Sequence, residues 1–149
     1  MQEMEHIVIK RIQRFSPKLL EDLNKLLLQL SSSGFQMDKR HIKAVLKNKR
    51  TYVICLYDGQ RVIGTATLVD FYQIRNHKGY IENVVIDEQY RGRGLGKKLI
   101  GYMIELAKEL KLDKIELKSE PRRTVANILY REMGFTLREV NYYDLDLEA

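Results

Sequence analysis

The tightest constraint in the sequence is a glycine-punctuated basic hexapeptide, Arg91-Gly92-Arg93-Gly94-Leu95-Gly96, lying between a β-type run and a long amphipathic helix. Upstream, Tyr80–Ile86 reads as a strand. Downstream, Gly94–Leu112 reads as a helix whose inward stripe is Leu95, Leu99, Met103, Leu106 and Leu110. The first N–H groups of a helix have no partner inside it, and the aligned peptide dipoles make that end positive. Glycines let backbone approach a phosphate closely, and two arginines add charge. The pattern predicts an anion site at this junction. Two nucleotide loops do not fit it. A Walker A loop needs G-x-x-x-x-G-K-[ST], but Gly92 to Gly96 is one residue short and Lys98 follows Lys97. A G-x-G-x-x-G fingerprint needs glycine where Lys97 stands, and it turns tightly from its strand, whereas Asp87–Tyr90 intervene here.

The other elements follow from periodicity and punctuation. His6–Arg11 alternates as a strand. Ser16-Pro17 opens a helix carrying Leu19, Leu20, Leu23, Leu26, Leu27 and Leu30, which ends at Ser31–Gly34. Asp38 caps a short helix to about Asn48, with Ile42, Val45 and Leu46 inward. Thr51–Tyr57 and Val62–Tyr72 read as a hairpin around Asp58-Gly59. Ile115–Lys118 is a short strand, Pro121 starts a helix ending at Gly134, and Phe135 to about Leu147 reads as one strand or two. The order β-α-α-β-β-β-α-β-α-β(-β) describes one mixed α/β layer structure.

Length and composition bound the function classes. The chain has 149 residues, 44% of them hydrophobic and 31% charged, which is globular composition and about one domain, taken as residues 1–149. Twenty-six basic against twenty acidic residues give +6, but the basic residues are spread along the chain, so nucleic acid is not the expected partner. No apolar run approaches a membrane span, and Met1–Arg11, with Glu3 and Glu5, does not read as a secretion signal. A lone cysteine, Cys55, suggests a reducing, cytoplasmic setting and a core thiol. His6, His41 and His77 are scattered without metal-ligand spacing, so no metal is expected.

Val84-Val85-Ile86-Asp87-Glu88-Gln89-Tyr90-Arg91-Gly92-Arg93-Gly94-Leu95-Gly96 resembles the acetyl-CoA-binding motif of the GNAT acyltransferases, [QR]-x-x-G-x-[GA]. Ala126-Asn127-Ile128-Leu129-Tyr130-Arg131-Glu132-Met133-Gly134-Phe135 resembles that superfamily's second motif, which often ends in Tyr-x-x-x-Gly-Phe. The separation of the motifs and the order of elements match as well, and the likeness is densest from Tyr80 to Tyr143. The resemblance implies a mixed, mostly antiparallel sheet of six or seven strands flanked by four helices. It also implies acetyl-CoA as cosubstrate, without metal, and direct transfer in a ternary complex.

Carried over residue by residue, the cofactor's pyrophosphate would rest on Arg91, Gly92, Arg93, Gly94, Leu95 and Gly96, with Lys97 nearby. Its pantetheine arm would add to the main chain of Val84, Val85 and Ile86. Tyr130 would protonate the leaving thiolate. Arg123, Asn127 and Tyr130 share one helix face, with Val125, Leu129 and Met133 largely opposite, and Asn127 would contact pantetheine. Arg123 stands where many relatives carry Asn. Glu82, on the strand feeding the site, is the candidate general base, working through a water if burial raises its pKa. Glu116 is the weaker alternative.

The acceptor would be a primary amine of a small molecule or peptide, in a pocket lined by Phe71, Tyr72, Tyr142 and Tyr143. The alternative from another class is a non-catalytic acyl-CoA-binding regulatory module of the same fold. A C-terminal strand ending in Leu145 and Leu147 offers an edge to a second subunit, so a homodimer is expected.

Overall fold

Turn chemistry and capping set the framework much as the sequence pattern suggests. A computed structural model describes residues 6–148. Glu3 and Glu5 lie outside the described residues. β1 (Ile7–Ile12) leads into α1 (Pro17–Leu30), where the Ser16 hydroxyl accepts the Leu19 N–H at 3.1 Å. α2 (Lys39–Lys47) starts where Asp38 accepts the His41 N–H at 2.8 Å. Asn24 ties the two helices together: its carbonyl accepts the Met37 N–H at 2.7 Å and its amide donates to Met37 O at 3.0 Å. β2 (Thr51–Asp58) and β3 (Arg61–Tyr72) form the hairpin around Gly59, whose φ of +61° suits the tight turn. β4 (His77–Ile86), α3 (Leu95–Glu109), β5 (Lys114–Leu117) and α4 (Thr124–Glu132) follow.

The described residues fall into two compact units, one running to Lys118 and the other starting at Ser119. In the first, the sheet has the order β1-β2-β3-β4-β5, antiparallel until β5 joins β4 in parallel. One face packs on α1 and α2 through a cluster that includes Leu19, Leu23, Leu26, Ile42, Val53 and Cys55. The other lies under α3, whose Leu99, Ile100 and Met103 are fully buried. Gly79 makes that packing close: a Cβ there would sit 2.8 Å from Leu112 and 2.9 Å from Leu68. No helix among the described residues is long and apolar enough to cross a membrane.

Four expectations need correction. The sheet has five strands among the described residues, not six or seven. Residues 135–148 form no strand: they join no ladder, and Leu137, Val140, Tyr142, Tyr143, Leu145 and Leu147 are exposed. A β-propensity run without a partner strand has nowhere to direct its backbone hydrogen bonds except water. α4 begins at Thr124 rather than Pro121, because Glu120–Arg123 close a turn with Arg123 N–H on Glu120 O at 3.0 Å. α3 likewise stops short of Leu112, since Lys111 takes a left-handed φ of +59°.

The buried charge at Asp22 connects α1 to the hairpin. Its carboxylate accepts the Val62 N–H at 3.1 Å and the Lys18 ammonium at 2.8 Å. Asp22→Ala leaves that buried amide without a partner and should cost about 1–3 kcal/mol in chemical denaturation. Lys18→Ala, at an exposed cation, should cost at most about 1 kcal/mol. Equal costs would show that the ion pair, rather than the amide, carries the contribution.

Candidate functional site

The glycine loop is wound by the residue that precedes it. The Asp87 amide donates to Ile63 O at 2.8 Å. The buried Asp87 carboxylate accepts from Arg61 at 2.6 Å and from the Gln89 N–H at 3.1 Å. These bonds turn Glu88–Tyr90 into a single 3-10 turn, and Arg91 Nε donates back to Ile86 O at 2.8 Å. Gly92 and Gly94 then take φ values of +79° and +78°. A residue with a Cβ pays roughly 1–2 kcal/mol in that region. Open space surrounds both positions, so conformation rather than packing selects glycine.

Gly94 is the N-cap of α3 and brings no side-chain acceptor. The first helical bond is Lys98 N–H to Gly94 O at 3.2 Å, which leaves the Leu95, Gly96 and Lys97 amides without acceptors in the helix. The first turn holds no acidic residue, and Arg91, Arg93 and Lys97 beside it are exposed. Cations at the positive end of a helix are unfavourable on their own. An anion resting there satisfies the amides and the cations together.

A brace missed from the sequence holds this loop. The Tyr90 hydroxyl donates to the Asp58 carboxylate at the β2–β3 turn, and His6 Nε2 approaches the same carboxylate at 2.9 Å. Arg93 lies 5.3 Å over the Tyr90 ring and donates to Gln89 O at 3.4 Å. A cavity of about 310 Å³ is lined by His6, Asp58, Gln89, Tyr90 and Arg93. The Tyr90 hydrogen bond is the main cause that holds the Asp58 carboxyl below its usual range, and it raises the Tyr90 phenol.

β4 carries a second unforeseen feature. Its register with β3 slips between Thr65 and Thr67, where Glu82 and Val85 are the flanking partners, so Asn83 and Val84 together face Ala66. Asn83 sits at φ +55°, in the left-handed region that Asn tolerates better than most residues. An Asn inside a β-type run was the available signal. β4 pairs with β5 only over Lys78–Ile81, so the main chain from Glu82 to Ile86 has no ladder on that side among the described residues. Val85 is buried, while Val84 and Ile86 are half-buried.

Glu82 is exposed, which removes the burial on which its reading as a base depended. Glu116 is held below the usual carboxylate range by its hydrogen bond from Lys78, with Lys114 adding to the effect, and so makes a poor base. Tyr80, between them on β4, has its phenol raised by burial, against the nearby Lys118 ammonium 5.4 Å over its ring. Cys55 is fully buried, its thiol pushed up to about 12 by desolvation, and is no nucleophile. No group of three or more metal-ligating side chains occurs among the described residues.

In the second unit, α4 presents the reverse of the expected face. Tyr130 is its buried residue, while Val125 is 84% exposed and Ile128 is 52% exposed. Burial raises the Tyr130 phenol, Arg123 opposes this, and the Phe135 ring meets it edge-on at 6.0 Å. The hydroxyl therefore keeps its proton at neutral pH. Asn127 donates to Glu120 O at 3.0 Å, so its amide shapes the turn before α4. Of the proposed acceptor residues, Phe71 and Tyr72 are consecutive on β3 and point to opposite faces. Phe71 lies under Lys78, whereas Tyr72 stacks on His77 at 3.9 Å. Tyr142 and Tyr143 belong to the exposed C-terminal segment.

Residues 18–135 match the model of the acetyltransferase (GNAT) family, and the chain belongs to that family. It is 34% identical over 92 residues to a glucosamine 6-phosphate N-acetyltransferase of Trypanosoma brucei brucei, covering 60% of each chain. It is 36% identical over 58 residues to N-alpha-acetyltransferase 30 of Saccharomyces cerevisiae (strain ATCC 204508 / S288c), covering 39% of this chain and 33% of that one. These curated relatives are thus spanned over less than two thirds of their length. An aminoglycoside acetyltransferase from an uncultured soil metagenomic sample superposes with a TM-score of 0.86 at 18% identity, covering 97% of this chain and 99% of that one. The fold is the GNAT α/β fold, with its mixed sheet and, among the described residues, four α-helices.

The Asp58 brace has a pH signature. A carboxyl lowered from 3.8 on folding stabilises the protein fully above that value and stops doing so as pH falls through its lower folded-state pKa. Asp58→Asn should therefore flatten the fall in stability below about pH 4, measured by denaturation across pH. An unchanged slope would remove Asp58 from the acid response.

Proposed function

We propose that the chain is an N-acetyltransferase that moves the acetyl group of acetyl-CoA directly onto a primary amine of a small molecule or peptide. The observation that carries this is the start of α3: uncapped amides after two left-handed glycines, among exposed cations. A pyrophosphate is an anion suited to these amides and cations, and the main chain of Val84–Ile86, without a ladder on its β5 side among the described residues, supports an extended pantetheine arm. The family match crosses both units, which supports one acetyltransferase domain over residues 1–149. The glucosamine 6-phosphate and N-alpha acetyltransferases among its relatives support an amine acceptor of either size. A buried lone cysteine suits a reducing, cytoplasmic setting.

In this reaction the amine nitrogen attacks the thioester carbonyl, the C–N bond forms, and the C–S bond breaks. The amine gives up a proton and the departing thiolate takes one. A backbone N–H near the Asn83-Val84 bulge is suited to the carbonyl oxyanion, since a bulge turns an amide out of its ladder. Tyr130, protonated and buried, is the proposed acid. The amine's proton passes to solvent water, in which exposed Glu82 lies just before the bulge.

A thiol-release assay over an amine panel tests the reading. Release of CoA with an amine supports it, whereas binding of acetyl-CoA without release means a non-catalytic acyl-CoA-binding module. Tyr130→Phe keeps the ring and should lower turnover by ~10²–10⁴-fold with acetyl-CoA affinity nearly unchanged. Its stability should change by only about 1 kcal/mol. Unchanged turnover with chemistry rate-limiting would exclude Tyr130 as the acid. Gly94→Val should weaken acetyl-CoA binding by on the order of tenfold in a folded protein, and normal binding would contradict the loop assignment.

A further inference from the structure

The helix α2 is built against its own electrostatics. Of the thirteen residues Asp38–Arg50, six are Lys or Arg and one, Asp38, is acidic. Asp38 caps the helix, its carboxylate accepting the His41 N–H at 2.8 Å. Arg50 is held by Asp70 at 3.4 Å. Lys39, Arg40, Lys43, Lys47 and Lys49 are exposed, and none of them pairs with a carboxylate among the described residues. Lys39, Lys43 and Lys47 recur every four residues, a spacing at which like charges repel. Lys39 and Arg40 stand in the first turn, where the helix dipole disfavours cations.

The fold gathers these charges into a row. In sequence they alternate with apolar residues and belong to a basic excess spread along the chain. In the helix, Ile42 is buried in the core cluster and Val45 and Leu46 pack against it, so the cations share the outer side. Lys39, Lys43 and Lys47 then follow one another over about 12 Å of helix. Phe15 fixes the start of the row: the Lys39 and Lys43 ammoniums lie 5.5 and 5.2 Å over its ring. Just before the helix, Asn24 ties down Met37, and the Ser33 hydroxyl accepts the Phe35 N–H at 3.2 Å. Phe35 itself is 57% exposed.

Three kinds of polyanion suit a row of cations, and the surroundings favour one. An anionic membrane takes up a helix by its apolar face, and that face of α2 is inside the core. Protein interfaces are poor in lysine, which supplies four of the five cations. A nucleic-acid strand places roughly three to four phosphates along such a row. An isoelectric point of about 9.4, with cations clustered along one helix, is the electrostatic footprint of that partner. An exposed aromatic ring beside the cations accepts a stacked base, which requires a single strand. We propose that the outer side of α2 binds single-stranded nucleic acid through its phosphates, without sequence preference, and stacks one base on Phe35.

Fluorescence anisotropy of a labelled oligouridylate with the full chain tests this. Contacts from Lys39, Arg40, Lys43 and Lys47 should give a logarithmic salt slope of about −3, or on the order of fifty-fold weaker binding between about 50 and 200 mM salt. Lys39→Ala, Lys43→Ala and Lys47→Ala together should flatten the slope by about two and raise the dissociation constant at least about tenfold. Alanine suits a helix, so circular dichroism should show the fold intact. Phe35→Ala should weaken binding by about tenfold at unchanged slope. Lys25→Ala, Lys108→Ala and Lys114→Ala remove the same charge elsewhere and should leave binding nearly unchanged, as should saturating acetyl-CoA. An equal loss in that control means attraction to net charge alone and overturns the α2 site. Displacement by acetyl-CoA assigns the oligonucleotide to the α3 loop and overturns it as well. Absence of binding at about 50 mM salt, or tighter binding of polyglutamate, overturns nucleic acid as the partner. Tighter binding of duplex DNA with no response to Phe35→Ala overturns the single strand.

Discussion

The positive end of α3 is the constraint around which the candidate site is organised. Three amides at Leu95, Gly96 and Lys97 have no helical acceptor, and the residue in the capping position is a glycine. Ser16 and Asp38 show what this chain does where a helix start is purely structural: each caps with a side-chain oxygen. At α3 that solution is absent, and basic residues stand where an acidic one would be stabilising. A buried carboxylate, Asp87, holds the preceding turn through Arg61 and the Gln89 amide, while Asp58 holds Tyr90. The loop is thus fixed from its flanks, while the amides at its centre have no helical acceptor.

The same economy appears in β4. Over Lys78–Ile81 it is an ordinary internal strand with partners on both sides. After Ile81 the parallel partner ends, and within two residues Asn83 turns left-handed and the register with β3 slips. One strand therefore contributes to the core at Ile81 and Val85 while its β5 side carries no ladder after Ile81 among the described residues. The chemistry proposed here asks for backbone groups more than for side chains, which fits the weak case for a protein base at either Glu82 or Glu116.

What could be read from the sequence was local. Helix caps at Ser16 and Asp38 and the Asp58-Gly59 turn are each set by neighbours a few residues away, and all appear as expected. The buried face of α4 was misjudged because Val125, Leu129 and Met133 make a plausible apolar stripe by spacing. Burial is decided by what packs against a helix, and it selects Tyr130 instead. The strand expected after Phe135 failed for a related reason: alternation shows that a segment can pair but does not supply the partner. The brace from Tyr90 to Asp58 spans 32 residues of sequence and left no local trace.

The central claim is that the α3 amides bind the pyrophosphate of acetyl-CoA. Its most direct test is to follow the backbone N–H resonances of Gly94 to Lys97 during titration with acetyl-CoA, and with S-acetylpantetheine, which lacks the pyrophosphate. The expected result is a large, saturable shift of the Leu95, Gly96 and Lys97 amides with acetyl-CoA only. Amides that stay in place while acetyl-CoA binds, or that respond equally to both compounds, would contradict it.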